Sequence, residues 1–216
     1  MKYEALILDL DGTLINTLPD IVKVVNSVTG RMGMPPCSEE KIRSSVGNGV
    51  EALLRNIGVP EQWNRQLSYE VSAGYRHMSH SSAWVYTGVR EMLDVLVKSS
   101  ISVCILSNKP IGGVRRSLAD HLPEYSFASI GGASSGLPAK PDPGMLLEML
   151  KELRIHPEKA LVIGDGEADV MTASAAGADH VAVLWGYRSR DELSAAGATT
   201  FAERPMDIVS LAELQP

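Results

Sequence analysis

Residues 5–8, Ala-Leu-Ile-Leu, form an apolar run of strand type that ends at once in two carboxylates, Asp9 and Asp11, with Gly12 and the hydroxyl of Thr13 directly behind them. An uninterrupted hydrophobic run reads as a strand buried on both faces of a parallel sheet. Parallel strands need long crossovers, usually helices, and ligands in such sheets bind outside the carboxyl ends of the strands. Two acids at that edge repel each other unless a cation or a shared proton lies between them. A divalent metal with oxygen ligands, Mg²⁺ first, is the simplest cation to expect. The alternative is a strand that merely ends in an Asx-type turn, because Asp and Gly both favour turns.

The rest of the chain supplies the crossovers. From residue 88 onward strands and helices alternate. Val89, Met92, Leu93 and Leu96 share a helical face, 101–106 is a strand, about 112–121 a helix, and 127–130 a short strand. A Gly/Ser/Pro loop over 131–143 carries Lys140. Helix 144–154, strand 160–163, helix 167–176, strand 180–185 and helices near 190–196 and 206–214 complete the alternation. That order indicates βαβ units in one doubly wound, mostly parallel sheet. Residues 17–82 read differently. Pro19 opens a helix with Ile21, Val24, Val25, Val28 and Met32 on its apolar stripe, and 38–80 is helical with breaks at Gly47-Asn48-Gly49 and Gly58-Val59-Pro60. The expected organisation is α/β: a core of residues 1–16 and 83–216 with an α-helical unit, 17–82, inserted after the first strand.

Four strand ends carry complementary polar groups. The first has Asp9 and Asp11, the second Ser107 and Asn108, the third interval Lys140 in Ala139-Lys140-Pro141-Asp142-Pro143, and the fourth Gly164-Asp165 with Asp169 a turn later. Each alone has an ordinary explanation as a cap, a turn or a solvated lysine. Together they place carboxylates, a hydroxyl, an amide and a cation at one edge of one sheet, a set suited to holding a phosphate beside Mg²⁺.

These segments, Asp9-Leu10-Asp11-Gly12-Thr13-Leu14, Ser107-Asn108-Lys109, Lys140-Pro141-Asp142-Pro143 and Gly164-Asp165-(x3)-Asp169, resemble the four motifs of the haloacid dehalogenase superfamily, in order and across nearly the whole chain. The helical insert resembles that family's small cap. The Ser-Asn-Lys form of the second motif, Gly47-Asn48-Gly49 and Trp185-Gly186-Tyr187-Arg188 are similar to phosphoglycolate phosphatases. The resemblance implies Asp9 as a nucleophile that forms an aspartyl-phosphate and Asp11 as general acid/base. It implies a metal site from Asp9, the Asp11 backbone carbonyl, Asp165 and Asp169. It also implies phosphate binding by Ser107, the Asn108 N–H and Lys140, with Gly12 letting the backbone turn around the phosphate. An acid two residues after the nucleophile favours phosphoryl transfer over dehalogenation. A phosphonate-cleaving relative would need a Schiff-base lysine in the cap; Lys41 is a candidate, and none lies near Gly47–Val50. Asn16, Thr17 and Gly166 depart from many relatives, which carry Asp, Ser and a hydroxyl residue there.

The expected activity is a Mg²⁺-dependent phosphatase acting on a small phosphorylated metabolite, 2-phosphoglycolate first, a sugar phosphate or pyrophosphate next. A phosphomutase of the β-phosphoglucomutase kind and a degenerate phosphate-binding member are the alternatives. A receiver-like phosphoacceptor fits less well, because the acids follow the first strand and the helical insert has no part in it. Substrate selection falls to the insert, where Gly47, Asn48, Gly49 and Arg55 are the first candidates and Arg43, Arg65 and Arg76 the others; Arg188 and Arg190, after a core strand, could also reach the cleft.

Composition sets outer bounds. A chain of 216 residues with net charge −6 and pI ≈ 5.4 lacks the basic footprint of a nucleic-acid binder. No apolar run approaches the ~18 residues of a membrane span, and the start has no signal-peptide pattern. Cys37 and Cys104 alone make no disulfide framework, which suits a cytoplasmic protein, a monomer or homodimer with no nucleic-acid or membrane partner. His77 and His80 lack the further ligands of a closed zinc site. Trp63 and Trp84 are expected to pack within or beneath the insert, the nine methionines to fill apolar faces, and Gly131-Gly132 to lack the context of a dinucleotide fingerprint.

Overall fold

The computed structural model describes residues 2–77, 82–133 and 136–213; His80 falls outside them. Six strands form one sheet in the order β5-β4-β1-β6-β7-β8. They are β1 (Ala5–Leu8), β4 (Ser102–Pro110), β5 (Ser129–Ala133), β6 (Ala160–Gly164), β7 (Asp179–Val183) and β8 (Phe201–Ala202), and every pairing between them is parallel. In strand count this is order 3-2-1-4-5-6, whose direction of winding reverses beside β1. Ala5–Leu8 pairs with Ser102–Ile105 on one edge and with Ala160–Ile163 on the other. The acids that follow β1 therefore emerge at the crevice where the fold opens.

Alternation along β1 sends its side chains to two cores. Leu6 and Leu8 join Val89, Met92 and Leu93 of α5 (Val89–Leu96), Val114 and Leu118 of α6 (Ile111–His121) and Ile208 of α10 (Pro205–Leu211). Ala5 and Ile7 pack on the opposite face with Met145, Leu146 and Met149 of α7 (Gly144–Leu153) and Ala173 of α8 (Glu167–Ala176). Both faces are thus covered by helices, as continuous apolar strands require. Each large side chain fully withdrawn from water contributes about 1.5–3 kcal/mol. α9 (Arg190–Ala195) closes the β7 side through Leu193.

Four helices form a separate apolar cluster: α1 (Leu18–Gly30), α2 (Glu39–Ser45), α3 (Gly49–Asn56) and α4 (Glu61–His77). Ile21, Val24, Val25 and Val28 of α1 meet Ile42, Leu53, Leu54, Leu67 and Val71. Ser38 starts α2 by accepting the Lys41 N–H. Among the described residues the core contributes Tyr187, from the loop after β7, to this cluster. The two chain crossings into the helical unit are paired as a two-stranded antiparallel ribbon, β2 (Ile15–Asn16) with β3 (Trp84–Val85).

Several expectations change. The strand expected to stop at Leu106 runs through Ser107-Asn108-Lys109 to Pro110, with its register against β5 shifting between Ser107 and Pro110. The short pieces β2, β3 and β8 have no periodicity to announce them. Trp63 and Trp84 are exposed, at 40% and 50%, rather than packed, because Trp84 lies on the solvent side of the ribbon and Trp63 on the outer face of α4. Met32 lies beyond the end of α1 and is exposed with Met171 and Met206, whereas Met92, Met145 and Met149 do fill the core.

Candidate active site

The carboxyl ends of β1, β4 and β6 and the loop before α7 converge. Asp9, Asp165 and Asp169 place one carboxylate oxygen each within 4.8 Å of one another. Lys140 is buried among them. Its Nζ lies 2.5 Å from Asp169 Oδ1 and 3.2 Å from Asp9 Oδ1, and donates to the Leu106 carbonyl at 2.9 Å. Burial alone would lower the Lys140 ammonium, but the carboxylates of Asp169 and Asp9 outweigh it and hold its pKa above the ordinary value. The Asp9 and Asp165 carboxyls are raised too, with burial as the main cause. Burial pushes the Asp9 carboxyl up to about 8, against the pull of Lys140 and with the push of Asp169, Asp165 and Asp11. Burial likewise raises Asp165 to about 7, although it accepts the Tyr187 N–H at 2.8 Å and the Thr13 hydroxyl at 3.0 Å. One ammonium does not neutralise three carboxylates in so dry a place.

That imbalance, with donors that are all oxygen, fits a hard divalent cation such as Mg²⁺. The backbone is shaped to leave the carboxylates their room. A Cβ on Gly12 or Gly186 would overlap Asp165, and one on Gly164 would overlap Asp169. Gly12 also sits at φ +88, which side chains avoid. Its N–H donates to the Ile15 carbonyl. Gly12 thus serves the acid behind it and a tight turn, and its own amide is already engaged within that turn. Gly166 leaves α8 without a side-chain cap, and its N–H donates to the Asp169 carboxylate at 3.1 Å.

Asp11 stands apart from this cluster. Its carboxylate takes the Lys109 ammonium at 2.9 and 3.2 Å and the Thr17 hydroxyl at 2.5 Å. Lys109 in turn lies over the Tyr75 ring, 4.7 Å from its centroid. The two acids at the end of β1 therefore face different partners: Asp9 the lysine and carboxylates of the sheet edge, Asp11 a hydroxyl and a second lysine. Ser107 is buried, and its Oγ accepts the Lys109 N–H. The Asn108 amide is spent on structure. It donates to the Lys140 and Gly47 carbonyls at 2.8 and 2.7 Å and accepts the Lys140 N–H at 2.7 Å.

The helical unit covers these groups. A cavity of about 50 Å³ lies between Asp9, Asp11 and Ser107–Lys109 below and Ile21, Val46, Gly47, Gly49, Val50, Leu53 and Tyr75 above. The surface the helices present to it is apolar apart from backbone and the Tyr75 phenol. Of the candidate selectors, Gly47 and Gly49 line the cavity, while Asn48 is exposed and does not. Arg55 is also removed from it: Leu53 and Leu54 take the buried face of α3, which turns Arg55 outward to pair with Glu61 at 3.4 Å. Lys109, Thr17 and Tyr187 join the site without any role expected of them from sequence, and Arg188 stood only among the secondary candidates. Lys109 lies inside a recognised motif, but its partner Asp11 is 98 positions away.

A family model for haloacid dehalogenase-like hydrolases matches residues 6–183. Phosphoglycolate phosphatase 1 of Pseudomonas aeruginosa is 31% identical over 213 residues, covering 95% of this chain and 78% of that protein. The phosphoglycolate phosphatase of Chromobacterium violaceum is 30% identical, covering 89% and 90%. A crystal structure from Lactobacillus delbrueckii subsp. bulgaricus superposes with a TM-score of 0.89 at 25% identity, over 98% of this chain and 99% of that one. A haloacid dehalogenase-like hydrolase from Streptococcus pneumoniae shares the fold, with a TM-score of 0.88 at 20% identity over 97% and 98%. With its four motifs gathered at the opening of a 3-2-1-4-5-6 sheet, this chain belongs to the haloacid dehalogenase-like hydrolase family.

Proposed function

We propose that this protein is a Mg²⁺-dependent phosphatase of a small phosphorylated metabolite, with 2-phosphoglycolate as the first substrate to try. The observation that carries the reading is the split environment of the two acids after β1. Asp9 faces Lys140 and two further carboxylates, and Asp11 faces Thr17 and Lys109. Asp9 attacks phosphorus, and the bond from phosphorus to the leaving oxygen breaks as the bond to the Asp9 carboxylate forms. Asp11 gives a proton to that leaving oxygen, then takes one from the water that hydrolyses the aspartyl-phosphate. Lys140 and the Ser107 hydroxyl meet the phosphoryl oxygens from the sheet edge. Asp9, Asp165 and Asp169 are the residues that would hold the divalent ion, which when bound adds positive charge beside the transferring group. Phosphoryl transfer depends mostly on positioning and charge stabilisation, and these residues supply both.

The substrate proposal draws on relatives near 30% identity named phosphoglycolate phosphatase and on a cavity of about 50 Å³, room for roughly four water-sized groups, which favours a small substrate. Two free cysteines and an acidic chain are compatible with work in the cytoplasm, and among the described residues no helix is long and apolar enough to cross a membrane. The test is phosphate release from 2-phosphoglycolate and from p-nitrophenyl phosphate with and without Mg²⁺, beside an Asp9→Asn variant. Mg²⁺-dependent release by the wild type and none by the variant is expected. Isomerised product without free phosphate, or activity that survives in Asp9→Asn, overturns the proposal.

A further inference from the structure

We infer that Arg188 is a positioning residue that latches the helical unit over the acids, by holding the open end of α2 against the core. The inference rests on the phosphatase reading only in that a closed cover is what excludes water from Asp9. Arg188 leaves the core in the loop after β7, and its side chain is 7% exposed. Its Nε donates to both carboxylate oxygens of Glu167, at 3.1 and 3.0 Å, and Glu167 begins α8 two residues after Asp165. The other two guanidinium nitrogens cross to the helical unit. One donates to the Arg43 carbonyl at 3.1 Å, the other to the Val46 carbonyl at 2.6 Å and the Ser44 carbonyl at 3.4 Å.

These carbonyls belong to the last turn of α2 and its cap. The final carbonyls of a helix lack the usual partner four residues on and carry the negative end of its dipole; the Arg43 carbonyl takes only a long bond from the Val46 N–H, at 3.3 Å. A guanidinium presents five N–H groups in a rigid fork, so one side chain serves several carbonyls and a carboxylate together. Asn108 adds a fourth grip one residue further on, donating to the Gly47 carbonyl at 2.7 Å. Two core side chains therefore hold four carbonyls of the segment 43–47. That segment is the cover. Val46 and Gly47 line both the 50 Å³ cavity beside Ser107 and a second space of about 20 Å³ beside Asp165 and Asp169. Arg188 also lines the latter space and the surface cleft outside it, which has Ser38, Arg43, Ser44 and Glu192 on its wall. It stands at the boundary between solvent and the carboxylate cluster. The bonds go to backbone carbonyls, so the latch grips the helical unit without reading the substrate. The paired crossings β2 and β3 are where the unit would swing when the grip is lost.

The test compares wild type with Arg188→Ala, Arg188→Lys and Glu167→Gln, first by hydrogen exchange without substrate and then by kinetics with Mg²⁺. In Arg188→Ala the amides of 43–50 are expected to exchange about tenfold faster or more, the scale of losing hydrogen bonds to a charged group, while those of β1 and β6 stay at wild-type rates. KM for 2-phosphoglycolate rises about tenfold, with a smaller change in kcat. The bulkier p-nitrophenyl phosphate, too large for a cavity of about 50 Å³ under a closed cover, is expected to lose little. Millimolar methylguanidinium restores Arg188→Ala, and lysine at 188, lacking the fork, does not. Wild-type exchange over 43–50 in Arg188→Ala overturns the latch. So does acceleration spread equally over β1 and β6, which marks a residue that only supports the fold. If Arg188→Ala does not fold, Glu167→Gln, which removes the charge and one of the two oxygens that fix the guanidinium on its core side, carries the same comparison. If the wild type releases no phosphate from either substrate, the phosphatase reading fails, and the exchange rates still decide the latch.

Discussion

Replacing Asp165 with Asn should stabilise the metal-free protein at alkaline pH and remove its response to Mg²⁺. Burial raises the Asp165 carboxyl from 3.8 to about 7. At about 1.4 kcal/mol per tenfold change in an equilibrium, keeping it ionised in the folded chain costs on the order of 4 kcal/mol. The sign follows from proton binding. Below pH 3.8 the group is protonated folded and unfolded alike, and the penalty is absent. Between there and about 7 the unfolded chain sheds the proton while the folded chain keeps it, so stability falls as pH rises; above 7 the loss is complete. Asparagine carries no charge and keeps most of the hydrogen bonding. Its carbonyl oxygen can accept the Tyr187 N–H, and its amide can donate to the Thr13 hydroxyl, which accepts as readily as it donates. Allowing about 1 kcal/mol for imperfect geometry, the net gain at about pH 8.5 in a chelator is about 3 kcal/mol, or roughly 6–12 °C in Tm for a chain of this size. At about pH 5 the gain shrinks below about 1 kcal/mol. With Mg²⁺ at about a hundred times its Kd, the wild type recovers about 2.7 kcal/mol and Asp165→Asn recovers little. Thermal denaturation at the two pH values, with chelator or Mg²⁺, reads all four conditions. An Asp165→Asn variant less stable than wild type at the alkaline pH in chelator, or an equal difference at both pH values, would refute the reasoning.

Lys140→Met should act in the opposite sense. It leaves Asp9 and Asp169 buried without their ammonium, so chelator-treated protein should lose about 3–5 kcal/mol at about pH 8, less at about pH 5, where the Asp9 carboxyl, pushed up to about 8, is protonated; chemical denaturation at the two pH values measures the difference. Gly186→Ala tests the room behind Asp165. The added methyl overlaps that side chain, so Mg²⁺ affinity, measured by the shift of Tm with Mg²⁺ concentration, should fall about 10–100-fold, and wild-type affinity would show that the loop yields freely.

The core was legible because its signals are local. Burial of β1 on both faces needs only the four consecutive apolar residues Ala5, Leu6, Ile7 and Leu8, and the helices that cover it carry their own periodicity and their own stops, such as Gly177 after α8. The chemistry-bearing residues were legible because parallel strands deliver their carboxyl ends to one edge, so polar residues placed just after apolar runs must converge. Short elements escaped. The ribbon of Ile15–Asn16 and Trp84–Val85 has two residues a strand, too few for any pattern, and exists because the chain enters and leaves the helical unit side by side. Arg55 was a reasonable candidate by charge, yet only the packing of Leu53 and Leu54 decides that it faces solvent.

Local sequence thus suffices for the sheet, its two helical layers and the identity of the acids, lysine and hydroxyl at its edge, since each is encoded within a few neighbouring residues. How those groups divide is settled only when the chain has folded. Lys140 goes to Asp9 and Asp169, Lys109 goes to Asp11, and Arg188 reaches across to the end of α2. Such pairings join residues as near as 29 and as far as 145 positions apart. Their partners are chosen by burial and geometry once the strands have met, which no local pattern records.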